Sequence, residues 1–346
     1  MKENTIDPGN QETDDLLYEH HRITADKGQS LMRVDLFLVN RIDNCSRTKI
    51  QQAADAGNIL VNNKPVKPNY KVKPGDVVSV VLSFPPREIE LIPQNIPINI
   101  VFEDEHLIVV NKKPGMVVHP GYGNYTGTLV NALLWHFKDL PKTSQGDVRP
   151  GLVHRIDKNT SGILVVAKSE LALNKLARQF FDHTTDRRYI AICWGTVDNE
   201  GTINGHIGRS LKDRKKMDIF PDGSHGKPAI THYKLIERIG YVSLVECRLE
   251  TGRTHQIRAH FEHIRHPLFN DNEYGGDKII KGTTFAKYRQ FVENCFNLLP
   301  RPALHAKSLK IIHPVTKKEM LFDSEIPDDM VSVIEKWRGY SQQAMK

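Results

Sequence analysis

A group of prolines near residue 90 sets the strongest limit on how this chain can fold. Four prolines lie between Phe84 and Pro97. Because proline fixes φ and removes a backbone donor, such a segment blocks regular structure. We therefore predict a linker over residues 85–97 that joins a small domain at 21–84 to a larger domain at 98–340.

The small domain is preceded by a polar segment. Residues 1–20 are acidic and aperiodic, which predicts a disordered leader. Beyond it, apolar spacing over residues 34–38 predicts a helix. Ser46 is placed to cap a second helix that ends at Gly57, and short apolar strands follow as far as residue 82. This pattern predicts a compact helix-helix-strand module.

The larger domain contains many short strands and a few helices. Hairpins are predicted over residues 98–110 and 229–249, with the second turning at Gly240. Apolar residues spaced i, i+4 and i+7 from Ile257 predict a helix. Strands interrupted by separate helices favour an α+β fold over a regular βαβ alternation.

Charge and composition narrow the functional classes. The net charge is +7, and the first thirty residues carry seven acids against three bases, so the remaining chain is +11. A basic body predicts a polyanionic partner. No stretch approaches the ~20 apolar residues of a membrane-spanning helix, so no membrane partner is expected. Four widely separated cysteines argue against a disulfide framework or a zinc site and indicate a reducing cytoplasm. Nothing in the sequence requires more than a monomer.

The densest polar run in an apolar setting is residues 154–162, which include Asp157 and lead directly into the apolar strand 163–167. A loop rich in hydrogen-bonding side chains and held by a buried strand is a suitable place for a functional site. Spacing alone favours an ordinary turn, in which Asp157 satisfies nearby backbone N–H groups.

A second polar run, residues 251–260, leaves a strand and enters a helix. If Ile257 faces the core, Arg258 lies at the border of that face and can reach inward. Alternatively, Arg258 pairs with Glu262 one turn later, which is a weak surface contact. Four histidines lie in or near this run but lack a metalloprotease motif or a suitable carboxylate set, so solvent-facing histidines are expected rather than a metal site: His255, His260, His263 and His266.

Two further stretches are candidates for a site. Tyr189 lies at the start of a predicted strand and is either a core aromatic residue or a cavity residue. A basic cluster could be a solvated loop or could bind phosphates; it comprises Arg209, Lys212, Arg214, Lys215 and Lys216.

These runs together resemble the bacterial ribosomal large-subunit pseudouridine synthases, whose signature has the form HR(L/I)D-x-x-TSG followed by an apolar strand. The matching blocks occur in the family's order: HRIDKNTSGILVVAK at 154–168, RRYIAICWG at 187–195, LETGRTHQIRAH at 249–260 and LHAKSLKIIHP at 304–314. Residues 31–80 resemble the small RNA-binding module of ribosomal protein S-four type, which commonly precedes this catalytic domain.

The resemblance implies a fold and a set of roles. The catalytic domain should be α+β with a mostly antiparallel, bent central sheet. Asp157 should be the essential catalytic residue, acting as nucleophile or base, with Arg258 as its charge partner. Tyr189 should lie against the flipped base, and Arg155 should help to hold the opened RNA. The reaction is an isomerisation without net redox change, so no cofactor is expected.

For the small domain, the resemblance implies an RNA-binding face for large-subunit ribosomal RNA, with transfer RNA as the alternative target. The residues that match this face are Arg33, Ser46, Arg47, Lys49, Lys64 and Lys71. Two other classes stay open at this point. A ribosome assembly factor could keep the fold without the activity, and the histidines could belong to a metal-dependent phosphoryl-transfer or nucleolytic enzyme.

Overall fold

The computed structural model describes residues 18–42, 45–82, 91–120, 124–137, 151–210 and 216–344. The chain divides into two compact units, Met1–Glu88 and Ile89–Lys346. Among the described residues, no helix is both long enough and apolar enough to span a bilayer.

The first unit contains two short helices and small antiparallel sheets. One sheet has the strand order β1-β6-β3-β4, and β2 pairs with β5. The elements are β1 (Tyr18–Thr24), β2 (Met32–Arg33), α1 (Val34–Val39), α2 (Arg47–Asp55), β3 (Ile59–Val61), β4 (Lys64–Pro65), β5 (Lys71–Val72) and β6 (Val77–Leu82).

The predicted helices of this unit are confirmed. The Ser46 hydroxyl caps α2 by accepting the Lys49 N–H at 3.3 Å. The helix is followed by Gly57 at φ +79°, a left-handed conformation that glycine adopts without a Cβ clash. The apolar faces of both helices pack on Ile59 and Val78 of the sheet.

The predicted leader is wrong at its C-terminal end. Residues 1–17 lie outside the described residues, but β1 begins at Tyr18 rather than after residue 20. The strand forms there because it pairs antiparallel with β6, from Tyr18 opposite Leu82 to Thr24 opposite Val77. Pairing with a distant strand leaves no local sequence signal.

The second unit is built on a ten-stranded sheet in the order β12-β11-β13-β14-β10-β15-β9-β8-β7, with β16 beside β15. Its elements are β7 (Ile100–Glu103), β8 (Leu107–Lys112), α3 (Leu129–His136), β9 (Ser161–Ala167), α4 (Glu170–Phe181), β10 (Asp186–Trp194), β11 (Glu200–Arg209), β12 (Met217–Phe220), β13 (Lys227–Ile239), β14 (Val242–Leu249), α5 (Gln256–His263), α6 (Ala286–Leu298), β15 (Leu304–Ile312), β16 (Glu319–Asp323) and α7 (Asp328–Ala344).

The sheet confirms the expected α+β class. Strands β9 and β15 pair in parallel, and the other described pairs of this sheet are antiparallel. Both predicted hairpins are present as β7-β8 and β13-β14, and Gly240 turns the second at φ +62°. The central strands β10 and β15 bring distant polar loops to one end of the sheet.

Part of the predicted linker belongs to the second unit. Residues 91–97 form no helix or strand. They are nevertheless attached to α3, because the Asn131 side chain donates to the Ile92 carbonyl at 2.8 Å and the Gln94 N–H donates to the Asn131 carbonyl at 2.9 Å. Residues 85–90 lie outside the described residues. The prolines therefore prevent regular structure at 91–97 without detaching this segment.

Candidate active site

A cavity of about 970 Å³ opens among the loop before β9, the start of β10 and the start of α5. Asp157 lines it, with its side chain 21% exposed, directly after the buried Ile156. The Thr160 N–H donates to the Asp157 backbone carbonyl at 3.1 Å and closes the turn. Among the described residues, no backbone N–H donates to the Asp157 carboxylate, so its side chain does not stabilise its own turn.

Arg258 provides the cation that faces this carboxylate. Its Nη1 donates to Asp157 Oδ2 at 3.4 Å. Its other nitrogens bind Asp271, from Nε at 2.7 Å and from Nη2 at 2.8 Å, and Nη2 also contacts Glu273. The alternative pairing with Glu262 is wrong, because the guanidinium points inward and is 6% exposed.

Asp271 fixes the orientation of Arg258. It is fully buried, and its Oδ1 accepts the Glu273 N–H at 3.2 Å and the Tyr274 N–H at 3.3 Å. A bidentate carboxylate holds a guanidinium in one plane. Burial alone would lower the pKa of Arg258, but the hydrogen bond and charge of Asp271 and the charge of Asp157 raise it above its ordinary value. Arg258 is therefore a permanent cation.

Tyr189 forms part of the cavity wall. It lies on β10 between Cys247 of β14 and Ala306 of β15, and it is 8% exposed. Burial raises the pKa of its hydroxyl; Arg187 opposes this rise, and Asp157 adds to it. A neutral phenol ring therefore lines the cavity that contains the Asp157 carboxylate.

The remaining cavity wall is rich in arginine. Arg155 is exposed in the loop before Asp157, and Arg253 precedes α5, where its Nε donates to the Pro228 carbonyl at 3.1 Å. Arg187 is buried at 7% exposure, and burial lowers its pKa. The cavity therefore suits a ligand with several negative charges.

Two buried basic side chains hold the loop that contains Asp157. Lys112 Nζ donates to three backbone carbonyls, including that of Lys158 at 3.0 Å. Arg301 Nη1 donates to the Asn159 carbonyl at 3.2 Å. Sequence reasoning missed both residues. Neither has a local signal, because each lies far along the chain from the loop and donates to carbonyls that any residue could supply.

His154 anchors the start of the same loop. Its Nε2 accepts the Val165 N–H of β9 at 3.0 Å, and its ring stacks on Phe180 at 4.4 Å between centroids. Burial, together with the Arg187 charge, lowers the pKa of His154 to about 3. A neutral imidazole is what this contact requires, since a ring nitrogen accepts only when it carries no proton.

Comparison with known proteins identifies the family of this chain. The RNA pseudouridylate synthase family profile matches residues 106–263, and the S4 domain profile matches residues 32–78. A Chlorobaculum parvum protein named uncharacterized RNA pseudouridine synthase is 46% identical over 319 residues, which are 91% of this chain and 97% of that protein. A Zymomonas mobilis protein named ribosomal large subunit pseudouridine synthase D is 45% identical over 300 residues, which are 86% of this chain and 91% of that protein. The chain belongs to the RNA pseudouridylate synthase family.

The solved structures agree with this assignment at the level of the fold. The structure named human RNA pseudouridylate synthase domain containing 4 has 22% identity and a TM-score of 0.51, and covers 69% of this chain and 93% of that one. The family profile and the relatives identify the protein as an RNA pseudouridine synthase, an isomerase. Asp157, Tyr189 and Arg258 all lie within the matched catalytic segment.

The S4 domain of this pseudouridine synthase contains a buried charge cluster that sequence reasoning missed. Asp35 is fully buried and accepts from Arg33 and Arg47, each at 3.0 Å, and from Gln51 at 2.7 Å. Burial alone would raise the pKa of Asp35, but these hydrogen bonds hold it well below its ordinary value. Asp35 therefore positions two predicted RNA-binding arginines, while both stay partly exposed at 41% and 48%.

The other predicted RNA-binding residues of the S4 domain are exposed. Lys49 lies in α2, Lys64 in β4 and Lys71 in β5. Ser46 is also exposed, and its hydroxyl caps α2. Of the predicted basic cluster in the second unit, Lys212, Arg214 and Lys215 lie outside the described residues.

The histidine prediction is wrong in part. His263 is exposed, but His260 is fully buried, and His255 and His266 are half-buried. His260 follows the apolar face of α5, so packing outweighs its polarity. His255 lies in the cavity, with Nε2 at 4.0 Å from Asp157 Oδ2. The described residues contain no cluster of three or more metal-binding side chains.

We predict that Asp271→Asn lowers the free energy of unfolding by about 3–5 kcal/mol, because it leaves a buried guanidinium without its main partner. Urea denaturation followed by tryptophan fluorescence measures this loss. The matched control is Glu262→Gln, which removes an exposed carboxylate from the helix that carries Arg258. Equal, small losses for both variants would show that Asp271 does not hold Arg258.

Proposed function

We propose that this pseudouridine synthase isomerises selected uridines of large-subunit ribosomal RNA, with Asp157 as its essential catalytic residue. The observation that carries the proposal is the pairing of Asp157 with Arg258 on the wall of a basic cavity. Arg258 is itself held by Asp271. The carboxylate is therefore oriented before substrate binds. The Arg258 guanidinium balances its negative charge in a partly closed site.

The two oxygens of the Asp157 carboxylate have different surroundings. Oδ2 accepts from Arg258 and lies near His255. Oδ1 accepts no hydrogen bond from the described residues. One oxygen thus fixes the carboxylate, and the other is available to a ribose.

The chemistry requires a carboxylate beside the sugar. The N1–C1′ bond of uridine breaks, the uracil turns, and a C5–C1′ bond forms. The C5 proton leaves and N1 gains a proton, so atoms and electrons balance without an oxidant. Asp157 either attacks C1′ as a nucleophile or removes the 2′ proton as a base, and Arg258 stabilises its charge in both routes.

Tyr189 is proposed to contact the flipped uracil. Its buried ring forms the cavity wall together with Ile156 and Leu304. Aromatic and apolar side chains hold a flipped base by stacking, while the base leaves its helix at a cost of a few kcal/mol. Burial keeps the phenol protonated in the free enzyme. We further propose that it helps to remove the C5 proton, with the Arg187 charge opposing the rise in its pKa.

Arg155 is proposed to hold the opened RNA. It is exposed two residues before Asp157 and lines the same cavity. An arginine at the rim can occupy the space left by the flipped base or bind its neighbouring phosphates. Its separation from the carboxylate by the buried Ile156 fits a role in RNA binding rather than in chemistry.

Two findings support ribosomal RNA as the target. The Zymomonas mobilis relative is named for the ribosomal large subunit, and this chain covers 91% of it. The S4 domain match adds a module of the kind that binds RNA. Transfer RNA is the alternative substrate. A non-catalytic assembly factor is disfavoured, because a pure binder needs no oriented Asp157–Arg258 pair.

We predict that wild-type enzyme releases tritium from ribosomal RNA labelled at uridine C5, and that Asp157→Asn releases none. The substitution keeps the size of the side chain but removes the nucleophile or base. Filter binding of the same RNA should be nearly unchanged, because phosphate contacts supply most of the affinity. The matched control is Asp277→Asn, an exposed carboxylate of the same unit, which should retain full activity.

The assay is run on ribosomal RNA, assembled subunits and transfer RNA in parallel. Tritium release by Asp157→Asn would overturn the catalytic assignment. Release from transfer RNA alone would overturn the proposed target but keep the chemistry. The absence of release from every RNA by wild type would favour the assembly-factor function.

We predict that the double variant Lys64→Gln and Lys71→Gln weakens RNA binding and makes it less sensitive to salt. The slope of log K against log salt is negative, and each lost phosphate contact should reduce its magnitude by about 0.7–0.9. Affinity measured across a salt series tests this. Lys310→Gln, in β15 of the second unit, is the control. Slopes equal to wild type in the double variant would exclude these lysines from the RNA-binding face.

A further inference from the structure

Arg187 is a buried cation without an acidic partner. It is 7% exposed, and no carboxylate of the described residues lies within 4.0 Å of it. Its Nε has no hydrogen-bond partner, and its Nη2 donates to one backbone carbonyl, that of Glu250, at 3.1 Å. Buried charges in proteins are normally paired, because desolvation without a counter-charge costs several kcal/mol.

The neighbouring residue shows that this lack of a partner is specific to the cavity face of β10. Arg188 points to the opposite face, where Asp186 at 3.1 Å and Glu246 at 3.0 Å bind it. Arg187 and Tyr189 both line the cavity instead. Successive strand residues alternate between faces. The described residues therefore supply carboxylates to the arginine outside the cavity and none to the arginine inside it.

The protein provides only partial compensation for the Arg187 charge. The Phe180 ring lies 5.6 Å from its guanidinium carbon, and such a cation–π contact is weak beside a salt bridge with a carboxylate. The Glu250 carbonyl is a neutral acceptor. Neither interaction supplies the negative charge that a buried guanidinium lacks.

Gly252 gives the guanidinium its space. A Cβ at this position would lie 2.5 Å from Arg187 Nη1. The next residue, Arg253, lines the same cavity, and its charge lowers the pKa of Arg187, so two cations act on this side. A tetrahedral oxyanion can accept from both, since guanidinium groups bind phosphate through paired N–H donors.

We infer that Arg187 binds a backbone phosphate that flanks the target uridine, and that the RNA supplies the counter-charge the protein omits. The inference rests on the proposed function, in which a uridine enters this cavity. It assigns Arg187 to substrate binding beside Tyr189. It also gives the flipped nucleotide an anchor on its phosphate in addition to the stacking of its base.

The test is a double-mutant cycle between the arginine and the phosphate. After the modified uridine has been mapped, stem-loop RNAs are made with a single uncharged methylphosphonate on its 5′ or its 3′ side. Each carries a 2′-O-methyl group on the ribose before that linkage and is compared with the same RNA bearing an ordinary phosphate. The proteins are wild type, Arg187→Met, Arg187→Lys and the matched control Arg188→Met.

We predict that wild type loses about 10–100-fold in kcat/KM when the contacted phosphate becomes uncharged, the range expected for a charged hydrogen bond. Arg187→Met should lose a similar factor on ordinary RNA and little more on methylphosphonate RNA. Arg187→Lys should recover part of the activity. Arg188→Met should respond to the methylphosphonate as wild type does. On one side of the uridine, the loss in kcat/KM from Arg187→Met and the loss from the methylphosphonate should not add. That side identifies the phosphate that Arg187 contacts.

Thermal unfolding separates this role from a structural one. Arg187→Met should unfold at the same temperature as wild type or higher, because it removes an uncompensated buried charge. A structural arginine would instead destabilise the protein when replaced. The inference would be overturned if the kcat/KM losses from Arg187→Met and from the methylphosphonate added independently on both sides of the uridine. A marked fall in unfolding temperature with Arg187→Met would also overturn it.

A second measurement does not depend on turnover. Uridine 5′-monophosphate and 3′-monophosphate are added to the full chain, and the stabilisation is compared with that by uridine. One monophosphate should stabilise wild type and Arg188→Met more than uridine does, and this difference should vanish with Arg187→Met. Equal stabilisation by uridine and both monophosphates in wild type would overturn the inference. A lack of RNA turnover, by contrast, would count against the proposed function alone.

Discussion

The active site depends on the burial of one arginine. Arg258 touches Asp157, Asp271 and Glu273, so three carboxylates surround a guanidinium that is 6% exposed. The pair with Asp271 uses two parallel hydrogen bonds and sets the plane of the group. The contact with Asp157 is longer, at 3.4 Å, and leaves that carboxylate partly solvated. The bidentate pair orients the cation, and the longer contact leaves the Asp157 carboxylate accessible.

Strand β10 distributes charge between the two sides of the sheet. Successive side chains of the strand point to opposite faces of the sheet. Arg187 and Tyr189 therefore line the cavity, and Arg188 binds two carboxylates outside it. The flanking strands hold Tyr189 by pairing with it on both sides. A residue on a central strand has little freedom to move. The cavity wall is therefore preorganised, and the flexible partner in binding is the RNA.

Local patterns predicted what depends on neighbours in sequence. The hairpin that turns at Gly240, the helix capped by Ser46 and the polar loop before β9 all follow from residues within a few positions of each other. The residues that hold the site in place do not follow from such local patterns. Asp271 is recognisable only once Arg258 is known to be buried, and Lys112 acts through backbone carbonyls that any sequence would provide. Strand β1 and the burial of His260 likewise depend on tertiary packing.

The paired and unpaired arginines indicate different uses of the same side chain. Where the fold supplies carboxylates, as at Arg258 and Asp271, the arginine is fixed and its charge is already balanced within the protein. Where the described residues supply none, as at Arg187, the folded state keeps a desolvated charge that destabilises it until an anion binds. Binding of RNA then gains both the new contact and the relief of that cost. A cavity that kept every cation paired would have to break a salt bridge for each phosphate it bound.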